Sequence, residues 1–313
     1  MLYVLCFLTI IQIISSLDIS LGPITSTGNY DIYVDKVKYF PASNSSSVSF
    51  HHEGITYSAA AKNDMNLLKA LNKDVISNGV DQIGAYTAHT THWVPSYTKK
   101  NISMITTAKV YSDSGSIVFT QTFPHGANVS HRGSDSNGIS TSFPAIDITT
   151  YEGGKRGCLA YGGHMVGNRY KVGLWEEFSL NSGIGGTEPF VVFDLDKKTS
   201  IAAVFSAFEN AFAINQKFDS ATRSVAFGMM SDVEEIPVGY ELSTLVSFVE
   251  GGVNAAMMNW GDVFLGRFGK HRHAAWEKDL TLQYLGYSTD HGAYYWYLSC
   301  SLLLSFSCCY VES

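Results

Sequence analysis

Between residues 17 and 249 the apolar positions fall in short runs of β-branched and aromatic residues, punctuated by Gly, Asn, Asp and Ser. Residues 117–123 (IVFTQTF) alternate along their length, and residues 171–178 carry a second half-buried pattern. Residues 190–193 and 201–205, joined by the polar stretch 194–199, predict a hairpin. Many antiparallel strands at this spacing predict a mainly β chain built as a large two-sheet sandwich. No fixed-period repeat and no low-complexity linker divides it, so the β region is expected to fold as one unit. One early stretch departs from the rule. Within residues 59–75, Met65, Leu68 and Leu71 stand at helical spacing and predict a short helix at the edge of the sheet.

After Gly251 and Gly252 the period changes. Val253, Met257, Trp260, Phe264 and Phe268 recur every three or four residues, which predicts an amphipathic helix of about four turns, with Gly269 as its stop. A second helical segment, residues 274–284, places Trp276, Leu280 and Tyr284 on one face. Stripes of this kind pack against a sandwich or a barrel far more often than they hold a cofactor.

Composition narrows the class. Of 313 residues, 45% are apolar and 16% charged, which excludes long disordered or coiled-coil segments. The formal net charge of -7 comes without a basic patch beyond Lys270, His271, Arg272 and His273, and this excludes a nucleic-acid partner. Residues 2–14 form an apolar run ending at Ser15 and Ser16, the pattern of a signal peptide spanning 1–16; a buried N-terminal strand is the competing reading. Sequons at Asn44, Asn101 and Asn128 agree with a secreted or lumenal glycoprotein. Cys158 stands alone in the body of the chain, while Cys300, Cys308 and Cys309 crowd its end, so no disulfide framework is expected. The cysteines lack C-x-x-C spacing, and the pairs His89 with His92 and His271 with His273 have no third ligand near in sequence. Neither a metal site nor any cofactor is expected.

Residues 285–297 read LGYSTDHGAYYWY: a short strand, an acid at Asp290, then a glycine and an aromatic cluster. A sugar site at the C-terminal face of a β/α barrel needs this order, because a carboxylate accepts bonds from sugar hydroxyls while aromatic faces cover the C–H surface of the ring. Asp290, Tyr294 and Tyr295 are the candidate substrate contacts. An ordinary turn followed by a buried aromatic strand fits the same residues. A carbohydrate-binding sandwich is a further alternative, with Trp93, Tyr97 and Trp175 either exposed to ligand or buried in the core.

The run VNAAMMNWGDVFLGRFGK at residues 253–270, followed by LGYSTDHGAYYWY, resembles the junction between sandwich and barrel in secreted eukaryotic relatives of the α-galactosidase and raffinose-synthase glycoside hydrolases. Residues 224–246 resemble the last sandwich strands of the same clan. Ser288 and His291 stand where the pattern LGYWTDNGAYYYY has an aromatic and an Asn. The resemblance implies an N-terminal β-supersandwich, a connecting helix and the first strand of an incomplete (β/α)8 barrel. It also places the nucleophile and acid/base, two Asp residues, on later barrel strands, so it assigns no catalytic residue to this chain. The expected division is a signal peptide at 1–16, the sandwich at 17–250, linker helices at 251–284, a first barrel strand and loop at 285–297, and an apolar tail at 298–313. Residues 292–311 carry no charge. A truncated or alternatively spliced product whose tail replaces the barrel accounts for this segment; a membrane anchor or a short domain of its own are the alternatives.

Overall fold

The computed structural model describes residues 17–43, 48–72, 74–97, 101–129, 138–148, 154–161, 170–180, 188–195, 200–270 and 278–284. Contacts divide the chain into two compact units, residues 1–269 and 270–313. In the second unit the described residues form one helical turn, Leu280–Gln283, and the expected barrel strand at 285–297 lies outside the described residues. No described helix is long and apolar enough to cross a membrane.

The first unit is mainly β. Its large antiparallel sheet has ten strands among the described residues. In space they run Tyr170–Leu174, Arg156–Tyr161, Phe190–Asp194, Ile201–Ala207, Tyr240–Glu250, Ser116–Phe123, Met104–Tyr111 and Ala85–Pro95, and then both Leu68–Ala70 and Val75–Val80 pair with Ala85–Pro95. Tyr240–Glu250 joins two meanders: Val246 faces Ile117 on one side and Phe205 on the other. Against one face lie smaller antiparallel sheets, including Ile19–Leu21 with Ile32–Val34 and Val37–Phe40, and Ser224–Met229 with Ala145–Asp147 and Ile214–Asp219. Aromatic rings knit the two layers. Phe205 lies 5.5 Å from Phe40 and 4.7 Å from Phe190, which stacks on Phe227, and Phe119 meets Tyr30 and Phe143 at 5.5 Å each. Burying one such ring is worth roughly 1.5–3 kcal/mol.

The predicted hairpin forms, with Val191 opposite Val204. The strand predicted at 117–123 forms as Ser116–Phe123. Ile201–Ala207 is buried at every position, because Ile201, Ala203 and Phe205 point into the sandwich while Ala202 and Val204 face a third layer. That layer is helix α1, Gly252–Arg267. Ala256 and Val263 are buried against the sheet, with Val253, Met257, Trp260 and Phe264 packed around them. Trp260 Nε1 donates to Ser206 Oγ at 2.8 Å and Asn259 Nδ2 to Ser247 Oγ at 2.7 Å, fixing the helix in rotation. A strand covered on both faces reads as a continuous apolar run rather than an alternation.

Three expectations need correction. Among the described residues of 59–75 no α-helix forms: a 3-10 turn, Asp64–Asn66, is capped by Asn63, whose side chain accepts the Met65 N–H, and Leu68–Ala70 is a strand paired with Trp93–Pro95. Leu68 is buried while Met65 and Leu71 are exposed, so helical spacing here was outweighed by the hydrogen bonds offered by the neighbouring strand. Phe268 does not join the helix stripe. It is the C-cap residue and is exposed, and Gly269 follows at φ +61°, the left-handed turn that ends the helix. The half-buried run 171–178 is a strand only to Leu174; Trp175–Glu177 is a 3-10 turn that carries Trp175 and Phe178 into the core.

Candidate functional site

Asp290, Tyr294 and Tyr295, with Ser288 and His291, lie outside the described residues, as do Asn44, residues 1–16 and the tail 298–313. Asn101 and Asn128 are described, and both are exposed, as an acceptor of glycan must be. Trp93 and Trp175 are core residues, each 0% exposed. Trp93 Nε1 donates to Thr106 Oγ1 at 2.8 Å, while the Trp175 ring stacks with Phe178 and Phe190 under the Arg223 guanidinium. Neither is open to a ligand. Tyr97 is 72% exposed.

His89 and His92 are separated by strand alternation. His89 shares a face with Trp93 and is buried, whereas His92 lies on the other face, where burial and then the nearby His125 hold its imidazole below the ordinary value. Among the described residues no three His, Cys, Asp or Glu side chains converge as a metal site would require.

The strongest site geometry surrounds His89. A groove of about 620 Å³ runs between the loop at 23–26 and the edge of the large sheet, lined in part by Ile24, Ala70, Leu71, Asp74, Ile76 and Thr91. Asp74 Oδ2 lies 2.7 Å from His89 Nδ1 and also accepts the Ile24 N–H at 3.1 Å, so the imidazole N–H is the donor in this pair. Both side chains are 8% exposed. Asp74 Oδ1 and Thr91 Oγ1, just beneath the surface of the groove, are buried with no hydrogen-bond partner. Each such atom costs about 1–3 kcal/mol until something pairs with it. A carboxyl oxygen that accepts, beside a hydroxyl that gives and accepts, has the chemistry to hold a ligand hydroxyl. Sequence reasoning missed Asp74. Nothing marks it except the register that sets Ile76 opposite His89, which the pattern alone does not supply.

Other charged clusters have structural work. Arg156, 2% exposed, donates to the carbonyls of Ile148 and Tyr39 at 2.8 and 2.6 Å, while Asp194 accepts the Tyr39 hydroxyl at 2.9 Å, 3.8 Å from Arg156 Nε. Asp81 accepts from Lys109 Nζ at 2.9 Å, the Tyr111 hydroxyl at 2.7 Å and the Ile83 N–H at 3.0 Å. Burial pushes the Asp81 carboxyl upward, but these bonds outweigh it and leave the group below the usual carboxylate range.

No protein-family model matches the sequence, and no curated protein matches it. Among solved structures, a quadruple mutant of the α-N-acetylgalactosaminidase from Bifidobacterium bifidum aligns at TM-score 0.50 and 8% identity, over 80% of this chain and 38% of that one. The N-acetylgalactosamine complex of the same enzyme gives 0.49 with the same identity and coverage. An α-galactosidase from Geobacillus stearothermophilus in complex with raffinose gives 0.42 at 9% identity, over 70% of this chain and 32% of that one. At such identities the likeness is one of fold. The chain spans about a third of the length of these neighbours.

Proposed function

We propose that this chain is the non-catalytic sandwich of a secreted, glycoside-hydrolase-like protein of the α-galactosidase and raffinose-synthase clan, associated with carbohydrate and without glycosidase activity of its own. The observation that carries the reading is the fold, a ten-stranded sheet backed by smaller sheets and covered by α1, which is shared with an enzyme named for an α-linked sugar substrate. The resemblance of residues 253–270 and 285–297 to a sandwich–barrel junction supports the same assignment.

Glycoside hydrolysis in most families uses two carboxyl groups, about 5–5.5 Å apart for retention or about 6.5–9.5 Å for inversion. The carboxyls of Asp194, Asp81 and Glu209 are engaged instead with Tyr39, Lys109 and Arg267. Assays of the full chain with aryl α-galactoside and aryl α-N-acetylgalactosaminide are expected to stay at background. Turnover that disappears in Asp290→Asn would overturn the reading. For secretion, the expected outcome is a product that starts at Leu17 and loses mass on deglycosylation; an unglycosylated protein retaining Met1 in the cytosol counts against it.

A second reading rests on the groove: the unpaired Asp74 Oδ1 and Thr91 Oγ1 would take the hydroxyls of a saccharide. Saturation-transfer NMR with galactose should then show contact that Thr91→Val removes while the fold is kept, because an isosteric methyl takes the place of an unpaired hydroxyl.

A further inference from the structure

The edge strand Val75–Val80 is unprotected. Its sequence, VISNGV, carries no charge and no proline, and every position but one is exposed: Val75 at 46%, Ile76 at 61% and Val80 at 78%. It pairs with Ala85–Pro95 in unbroken register on one side, and among the described residues no strand pairs with the other. Edges of this kind are ordinarily guarded by lysine, proline, a bulge or a covering segment. The opposite edge of the sheet, Tyr170–Leu174, does carry a lysine, Lys171.

We infer that Val75–Val80 is a self-pairing edge, through which two copies of the chain join their large sheets antiparallel about a two-fold axis at Asn78. The register follows from side-chain parity. An axis perpendicular to the sheet keeps the core face of both copies on one side, so residues meet only others of the same parity. Ile76, Asn78 and Val80 share the face of His89, Thr87 and Ala85, while Val75, Ser77 and Gly79 share that of Thr90, Ala88 and Tyr86. Centring on Asn78 sets Ile76 against the partner's Val80, and Val80 against the partner's Ile76. Both exposed apolar side chains are thereby covered twice over. Centring on Ser77 would set Ile76 against the partner's Asn78 and Val75 against the partner's Gly79, leaving the apolar residues unmatched.

Charge agrees with the Asn78 register. Asp74 falls opposite the partner's Gln82 and Asp81 opposite the partner's Val75, so no like charges face across the join. On the outer face, beside the axis, the Tyr86 ring lies over Gly79, where a Cβ would meet the Tyr86 hydroxyl at 2.5 Å. Asn78 Oδ1 accepts the Thr87 hydroxyl at 2.9 Å, which leaves the amide NH2 as donor across the axis. The two-fold closes the assembly at two copies, since each chain spends this edge on the other. The inference is independent of the glycoside-hydrolase reading.

The test is the mass of the full chain by light scattering and sedimentation, with amide exchange as a local readout. Wild type is expected to be a concentration-dependent dimer whose amides at 75–80 gain protection as it forms. Ile76→Lys with Val80→Lys is expected to be monomeric with an unchanged Tm, since both positions are solvent-exposed. In an oxidising buffer Asn78→Cys should give a covalent dimer above the wild-type background, and Ser77→Cys much less. A wild type that stays monomeric, or a dimer that survives the double lysine variant, overturns the inference; preferential crosslinking through Ser77→Cys overturns the register.

Discussion

At the scale of single residues, the polar groups inside the sandwich divide into those fully engaged and those left waiting. Arg156 stands nearest the first kind, with its guanidinium 4.4 Å above the Tyr39 ring and its two terminal nitrogens on main-chain carbonyls. Removing it takes from the buried Asp194 carboxylate the cation 3.8 Å away, and Arg156→Ala should lose about 3–5 kcal/mol in chemical denaturation. Asp81 carries a pH signature. Its folded carboxyl sits below the ordinary value, so it stabilises the protein above the unfolded pKa near 4 and loses that contribution as pH falls through the folded value. Asp81→Asn should therefore be less stable at neutral pH and show a shallower loss of Tm on acidification below about pH 4. Cys158 lies within the core, and burial drives its thiol far upward, so a thiol reagent should label it no faster than the protein unfolds. None of these environments was legible in the sequence, because Tyr39 reaches Arg156, and Lys109 and Tyr111 reach Asp81, from strands distant along the chain.

At the scale of elements, what could be read were the segments whose own pattern decides their fate. The hairpin at 190–205 and α1 formed where apolar periodicity and glycine placed them. The stretch 59–75 misled because three apolar residues at helical spacing weigh less than the paired hydrogen bonds of the strand beside them. Phe268 misled for another reason: Gly269 turns the chain before that side chain can reach the sheet. Helix α1 is held by a few large contacts. Trp260→Ala removes the ring over the sheet and the bond to Ser206, and should cost up to about 3 kcal/mol, the low end for a tryptophan that is only half buried. Gly228 is a test of close approach. A Cβ there would lie 1.7 Å from the Thr141 carbonyl oxygen, so Gly228→Ala must force two strands apart and should cost about 1–3 kcal/mol.

At the scale of the molecule, the sandwich and α1 fall within the first compact unit, and the chain beyond residue 269 forms another. Within that first unit the outer face of the sheet is capped by α1. Truncation after Lys270 is accordingly expected to leave the thermal unfolding of the sandwich unchanged and to raise solubility; a truncated chain that no longer folds would show that residues 271–313 belong to the core. Placing Tyr240–Glu250 between Ser116–Phe123 and Ile201–Ala207 has one further effect, on synthesis. Among the described strands of the sheet, the ribosome delivers the joining strand last. At about 5–20 residues per second, the gap between finishing residue 123 and reaching residue 240 is on the order of ten seconds. Through that interval Ser116–Phe123 presents an unfilled edge, and Ile201–Ala207 does the same from the moment it is made. The newborn chain is thus exposed to mispairing and to capture by chaperones until its central strand arrives to zip the halves together.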